Sequence, residues 1–265
     1  MFPRLKKILE QKNLPPLHFE ILAETTSAMD AVRECLEAGW NGESAELVLA
    51  ESQTQGRGQR GTHWESAAGQ NLTFALLFRP GVAARDQFFL SEIAALAFAD
   101  ALRPYCEATV KWPNDIYFED RKLCGMLLEH KLQGDRIAHT VLGPGLNVNQ
   151  AQFVSDAPNP VSLRQIVGHS LDRMKILEDY LTFFFSRLAR LQAGDFDAQH
   201  RDYCARLYRR NGFHTYRDAN GPFDAEIAGI ARDGRLQLRD REGRERQYAF
   251  KEVAYVINCE NDQAK

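Results

Sequence analysis

The sequence predicts an α+β fold, a mixed β-sheet flanked by helices and followed by a small β-barrel. Three observations predict it. Over the first 210 residues, strand-like runs interleave with segments of helical period. One strand-like run, residues 71–78 (NLTFALLF), is apolar almost throughout, the pattern of a strand covered on both faces. From Asn211 onward, strands of five to eight residues are separated by Asn211-Gly212, Asn220-Gly221, Asp233-Gly234 and Glu242-Gly243. Tight turns at that spacing are the punctuation of a small barrel. The expected domains are therefore residues 1–210 and 211–265.

The elements follow in order. Residues 1–18 read as a short lead-in, closed by Pro15 and Pro16. Residues 18–23 (HFEILA) form a first strand. A helix follows, with Ser27 and Asp30 at capping-box spacing, Gly39 as its stop, and Ala28, Ala31, Val32, Cys35 and Leu36 on one face. Residues 46–51 form the next strand, followed by a glycine-rich loop to Gly61. After the central strand, 87–103 is a helix with Phe88, Ile93, Ala94, Ala97 and Leu102 inward. Two strands, 108–118 (interrupted at Pro113) and 123–131, flank the polar turn EDRK. Residues 137–149 form a strand running into GPGLNVN, and 150–160 a loop. Helices over 175–192 and 197–210 complete the first domain.

Composition narrows the function classes. The chain of 265 residues has 33 basic and 36 acidic side chains, with no basic block, so no electrostatic footprint for nucleic acid is expected. The five cysteines are odd in number, scattered, and lack a C-x-x-C pair. This argues against a disulfide framework or a tightly bound transition metal and fits a reducing cytoplasm. The most apolar stretch is too short to span a bilayer, and the N-terminus lacks a signal-peptide core.

The loop Gly56-Arg57-Gly58-Gln59-Arg60-Gly61 satisfies G-x-G-x-x-G, but no amphipathic helix follows it, as a dinucleotide fold requires. No G-K-[ST] of a Walker loop occurs. The loop still offers backbone N–H groups to an anion, with Arg57 and Arg60 as permanently charged donors. Three further segments share its character: Lys111-Trp112-Pro113-Asn114-Asp115, KLCGMLLE from Lys122 to Glu129, and GPGLNVN from Gly143 to Asn149. Each alone has a bland explanation, such as a core tryptophan, a turn, a solvated lysine or a bulge. Their order and spacing together do not.

GRGQRGTHW, KWPND, KLCGMLLE and GPGLNVN, in that order, resemble the motifs of the biotin protein ligase family from about residue 19 to the C-terminus. The resemblance implies a class II aminoacyl-tRNA synthetase-like catalytic domain with an SH3-like barrel behind it. It implies a two-step reaction: biotin is activated by MgATP to biotinyl-5'-adenylate, then passed to a lysine of a biotin carboxyl carrier domain. Biotin-binding residues carry over as Thr25, Thr26, Ser27, Gln53, Arg57, Gly58, Gln59, Lys122, Gly125 and Gly143. Adenylate-side residues carry over as Arg57, Arg60, Trp64, Lys111, Asn114, Asp115 and Asn147, with Asp115 as a Mg²⁺ ligand. Arg57 and Lys122 would be catalytic. The chemistry suits them, because two anions must be brought together, and removing one preorganised donor costs about 2.7–4 kcal/mol. Relatives also dimerise through the sheet, so a homodimer is implied.

Gln59 and Thr62 stand where the family pattern often has arginines, which predicts weaker retention of the adenylate. With the first catalytic strand near His18, no room is expected for the winged helix that makes some relatives repressors, and no operator binding is expected. The competing reading is a lipoate or octanoate ligase or transferase of the same fold. Its R-R-x-S-G-G-G loop is absent here, and Cys124 lies within a strand.

Overall fold

Among the described residues, thirteen helices and strands build one mixed sheet and its helical cover. The computed structural model describes residues 2–58, 64–155 and 159–257. Helix α1 spans Pro3–Gln11, β1 Leu17–Leu22, α2 Ala28–Glu37, β2 Ala45–Ala50 and β3 Leu72–Phe78. After a 3-10 turn at Ala84–Asp86 come α3 (Phe88–Ala101), β4 (Thr109–Lys111), β5 (Asp115–Phe118), β6 (Arg121–Gln133) and β7 (Arg136–Leu146). Helices α4 (Leu163–Val167), α5 (Arg173–Gln192) and α6 (Phe196–Ala205) follow.

The seven strands run in the order β1-β2-β3-β7-β6-β5-β4. Only the β1–β2 pair is parallel; the others are antiparallel, so the sheet is mixed, as expected. The two faces differ. Leu72, Phe74, Leu76 and Phe78 turn to a large core shared with α3 and α5. Val48, Ala50, Ala75, Leu77 and Val141 turn to a small cluster under α2, with Ala28, Met29 and Val32. Alternation along a strand puts Gly143 and Gly145 on the face of Val141. Both of these glycines therefore open the α2 side of the sheet.

Several elements depart from expectation. The lead-in is a helix: α1 buries Leu5 and Leu9 against α5, and Arg4 pairs with Asp179. Its two inward leucines lie four residues apart, a signal of one turn that the prolines overshadowed. Helix α4 was not expected at all. Ser162 and Gln165 close a full capping box around it, an S-x-x-Q signature legible in the sequence. The expected capping box at α2 does not form, because Ser27 makes no side-chain cap. The Gln53 Oε1 accepts the Ala28 N–H at 2.8 Å instead. Helix α6 ends five residues early. Leu207 then bridges to Val110, and the Val110 N–H donates to Arg206 O at 2.8 Å.

The C-terminal strands are β8 (His214–Asp218), β9 (Gly221–Ile230), β10 (Leu236–Asp240), β11 (Glu245–Tyr248) and β12 (Ala254–Tyr255). They form an antiparallel sheet in the order β11-β10-β9-β8-β12. The expected barrel is not closed among the described residues, since β11 and β12 are its two unjoined edges. Tyr216, Ala225, Leu236 and Leu238 of this sheet belong to the same buried cluster as α3 and α5.

Candidate active site

A cavity of about 760 Å³ opens on the α2 side of the central sheet, where the four motif segments converge. Its floor is made by the absence of side chains. A Cβ at Gly143 would sit 2.5 Å from Sδ of Met29, and one at Gly145 would strike the Trp64 indole. Neither glycine has a left-handed backbone, so the requirement is close approach. Gly125 pairs with Gly145 across β6 and β7, and its missing Cβ leaves space beside the Lys122 ammonium.

The β5–β6 hairpin sets the charges over that floor. It turns at Glu119 and Asp120 and places Lys122 at the start of β6. There Lys122 Nζ lies 2.7 Å from Asp115 Oδ2 and 5.9 Å from the centre of the Trp64 ring. Lys111 Nζ is 5.1 Å from both the Tyr117 and Tyr255 rings. Burial pulls Lys111 below the usual lysine range, with the Lys122 and Arg209 charges adding to the effect and Asp115 opposing it. Arg57 also lines the cavity, its guanidinium paired with Asp30 of α2, which in turn pairs with Arg33.

Of the sequence-predicted residues, the structure brings Ser27, Gln53, Arg57, Gly58, Trp64, Lys111, Asp115, Lys122, Gly125 and Gly143 to the cavity. Thr25 and Thr26 do not line it. Their backbone continues the β1–β2 ladder, with Thr25 bridging Gln53 and the Gln55 N–H donating to Thr26 O at 2.9 Å. Asn114 is buried and outside the lining. Asn147 is buried as well, donating from Nδ2 to Val161 O at 3.1 Å, so its amide holds the chain after β7 in place. Asn147 does not line the cavity among the described residues, and its Oδ1 is buried without a hydrogen-bond partner. Gln59, Arg60 and Thr62 lie outside the described residues.

Among the lining residues that sequence reasoning missed are Val154 and Ser155, and Phe250 and Lys251 from the C-terminal region. Nothing local marks them, because only tertiary contact brings them in. Cys124 is fully buried, and burial holds its thiol well above the usual range. A protonated, inaccessible thiol cannot serve as an acyl-accepting nucleophile. Among the described residues, no three His, Cys, Asp or Glu side chains gather as a metal cage, and no helix is long and apolar enough to cross a membrane.

The chain is similar to known proteins in sequence and in fold. The biotin/lipoate A/B protein ligase family matches residues 24–147. The bifunctional ligase/repressor BirA of Bacillus subtilis is 28% identical over 228 residues, covering 79% of this chain. The chain spans 66% of that relative's length. The biotin–[acetyl-CoA-carboxylase] ligase of Paracoccus denitrificans is 32% identical over 206 residues, 75% of this chain and 85% of the relative. The fold matches the biotin protein ligase of Aquifex aeolicus solved with biotin and ATP, with a TM-score of 0.73 and 24% identity over 89% of this chain and 97% of that one. On the extent and identity of the Paracoccus match, the chain belongs to the biotin protein ligase family.

Proposed function

We propose that the protein activates biotin with ATP and transfers it to a lysine of a biotin carboxyl carrier domain. The observation that carries the reading is the pairing of a glycine floor with cations in one cavity. Met29 and Trp64, packed directly on Gly143 and Gly145, give the cavity an apolar wall for an apolar acid, while Lys122, Lys111 and Arg57 meet the anionic end of that acid and a nucleotide's phosphates.

In the first step a carboxylate oxygen of biotin attacks the α-phosphorus, and pyrophosphate leaves. The carboxylate is already ionised at neutral pH, so no general base is required. The task is to hold two anions in line, and Lys122 stands where it can offset their repulsion. In the second step the acceptor amine attacks the acyl carbon, AMP leaves, and the amine's proton passes to solvent. Mg²⁺ would supply charge on the phosphates. Among the described lining residues Asp115 is the one carboxylate, consistent with an ion that arrives largely bound to nucleotide and water.

In this reading residues 1–210 form the catalytic unit and 211–265 an SH3-like unit that contributes Lys251 to the cavity wall. Biotin-dependent exchange of labelled pyrophosphate into ATP is the test. Exchange with biotin and none with lipoate or octanoate is expected. Exchange with lipoate alone would transfer the assignment to the lipoate branch, and none with any acid would end the ligase reading.

A further inference from the structure

Two segments far apart in sequence meet at the cavity: Trp64 at the end of the glycine loop, and Val154-Ser155 beyond β7. One side chain joins them. The Glu65 carboxylate accepts the Val154 N–H at 3.0 Å, the Ser155 N–H at 2.8 Å and the Gln150 Nε2 at 2.7 Å. Gln150 is itself buried, and its Oε1 accepts from Ala67 N at 3.0 Å and Asn71 Nδ2 at 2.6 Å. Asn71 Oδ1 then accepts the Val148 N–H at 2.9 Å. The clasp is thereby rooted where β3 begins and β7 ends, at the Leu72–Leu146 pair.

Glu65 holds more than a surface turn needs. Burial pushes its carboxyl up, but the hydrogen bonds from Ser155, Val154 and Gln150 outweigh burial and hold it below the usual range. Val154 is 89% exposed, so its own side chain does not anchor the segment. The carboxylate does that work through the backbone. We propose that Glu65 is a positioning residue that holds residues 150–155 beside Trp64 as one wall of the cavity, and so sets how long a reactive acyl-adenylate is retained. The proposal rests on the ligase reading. A mixed anhydride released before the acceptor amine arrives is lost to water, so the strength of this wall governs the yield of transfer.

The test is Glu65→Gln in the full chain, which keeps the side-chain shape and removes the charge. Hydrogen exchange of the segment carrying the Val154 and Ser155 amides, measured without ligand, is expected to quicken. Release of preformed biotinyl-adenylate is expected to accelerate roughly tenfold, the scale of a lost charge-assisted hydrogen bond. The biotin KM in pyrophosphate exchange should stay within about twofold, a split that general loss of structure would not give. Unchanged hydrogen exchange overturns the clasp. Faster exchange with unchanged release overturns its role in retention. A parent protein with no biotin-dependent pyrophosphate exchange overturns the ligase reading instead, and the hydrogen-exchange arm still reports on the clasp.

Discussion

Lys122 and Asp115 lie 2.7 Å apart at the cavity, and the pair's worth differs with and without substrate. Lys122 is about a third exposed, and such a pair adds little to stability because water screens it. In the proposed reaction the same ammonium would face two substrate anions where charge develops. Lys122→Gln is therefore expected to melt within a degree or two of the parent, yet to lower the rate of biotin-dependent pyrophosphate exchange by about 10²–10³. A loss under tenfold would remove Lys122 from the reacting centre. Gly143 makes a second, steric prediction. An added Cβ would meet Cγ and Sδ of Met29 at 2.5 Å, and Met29 is flexible enough to swing into the cavity. Gly143→Ala is expected to raise the KM for biotin by roughly tenfold, in line with overpacking costs of about 1–3 kcal/mol. Met29→Ala in the same chain should restore most of it. A double variant no better than the single one would show that the glycine serves something other than space.

At the scale of elements, Gln53 shows how a site residue also builds the scaffold. Its Oε1 caps α2 across 25 residues of chain, and the residue also lines the cavity. Gln53→Ala should cost about 1 kcal/mol, the usual worth of an N-cap, and lower the melting temperature by roughly 2–4 °C for a chain of this size. An unchanged melting temperature would mean that Ser27 takes over the cap. The comparison of sequence with structure turns on the same distinction between local and distant partners. The central strand, α2, α3, α5 and the β5–β6 hairpin were legible because their periodicity and turn residues are contiguous. The Ser27–Asp30 cap was misread because a distant amide won that position. Asn147 carries a motif signal yet lies outside the described lining, and Val154, Ser155 and Lys251 carry none. Motif order thus located the cavity, while the rest of its lining depends on contacts between segments distant in the sequence. The open C-terminal sheet has a similar cause, since turn spacing specifies hairpins but not whether the first and last strands meet.

At the scale of the whole molecule, the larger of the two apolar clusters runs from α3 and α5 into the C-terminal sheet, with a few polar ties at the seam. Trp112 Nε1 donates to Gly234 O at 2.8 Å, Arg232 pairs with Asp86 at 2.8 Å, and His200 of α6 reaches both sides. His200 Nδ1 lies 2.7 Å from Oε1 of the fully buried Glu92 on α3, and its Nε2 lies 3.1 Å from Ile230 O at the end of β9. With both ring nitrogens facing oxygen acceptors, the charged imidazolium satisfies both contacts and the neutral ring only one. The Cys204 thiol and the Glu92 carboxylate beside it push His200 up to about 10. Burial pushes Glu92 up, with its His200 partner holding it back. A histidine raised from its ordinary value near 6.5 contributes stability that is complete below that value and is lost as pH rises through about 10. Because the tie crosses the seam, its loss loosens the C-terminal sheet, and Lys251 with it, before the central sheet. The melting temperature of the parent should therefore decline between pH 7 and 10 more steeply than that of His200→Gln, whose amide can still bridge Glu92 and Ile230 but does not titrate. Equal slopes for the two proteins would mean that His200 does not carry its charge in the fold and that the seam depends on the apolar core alone.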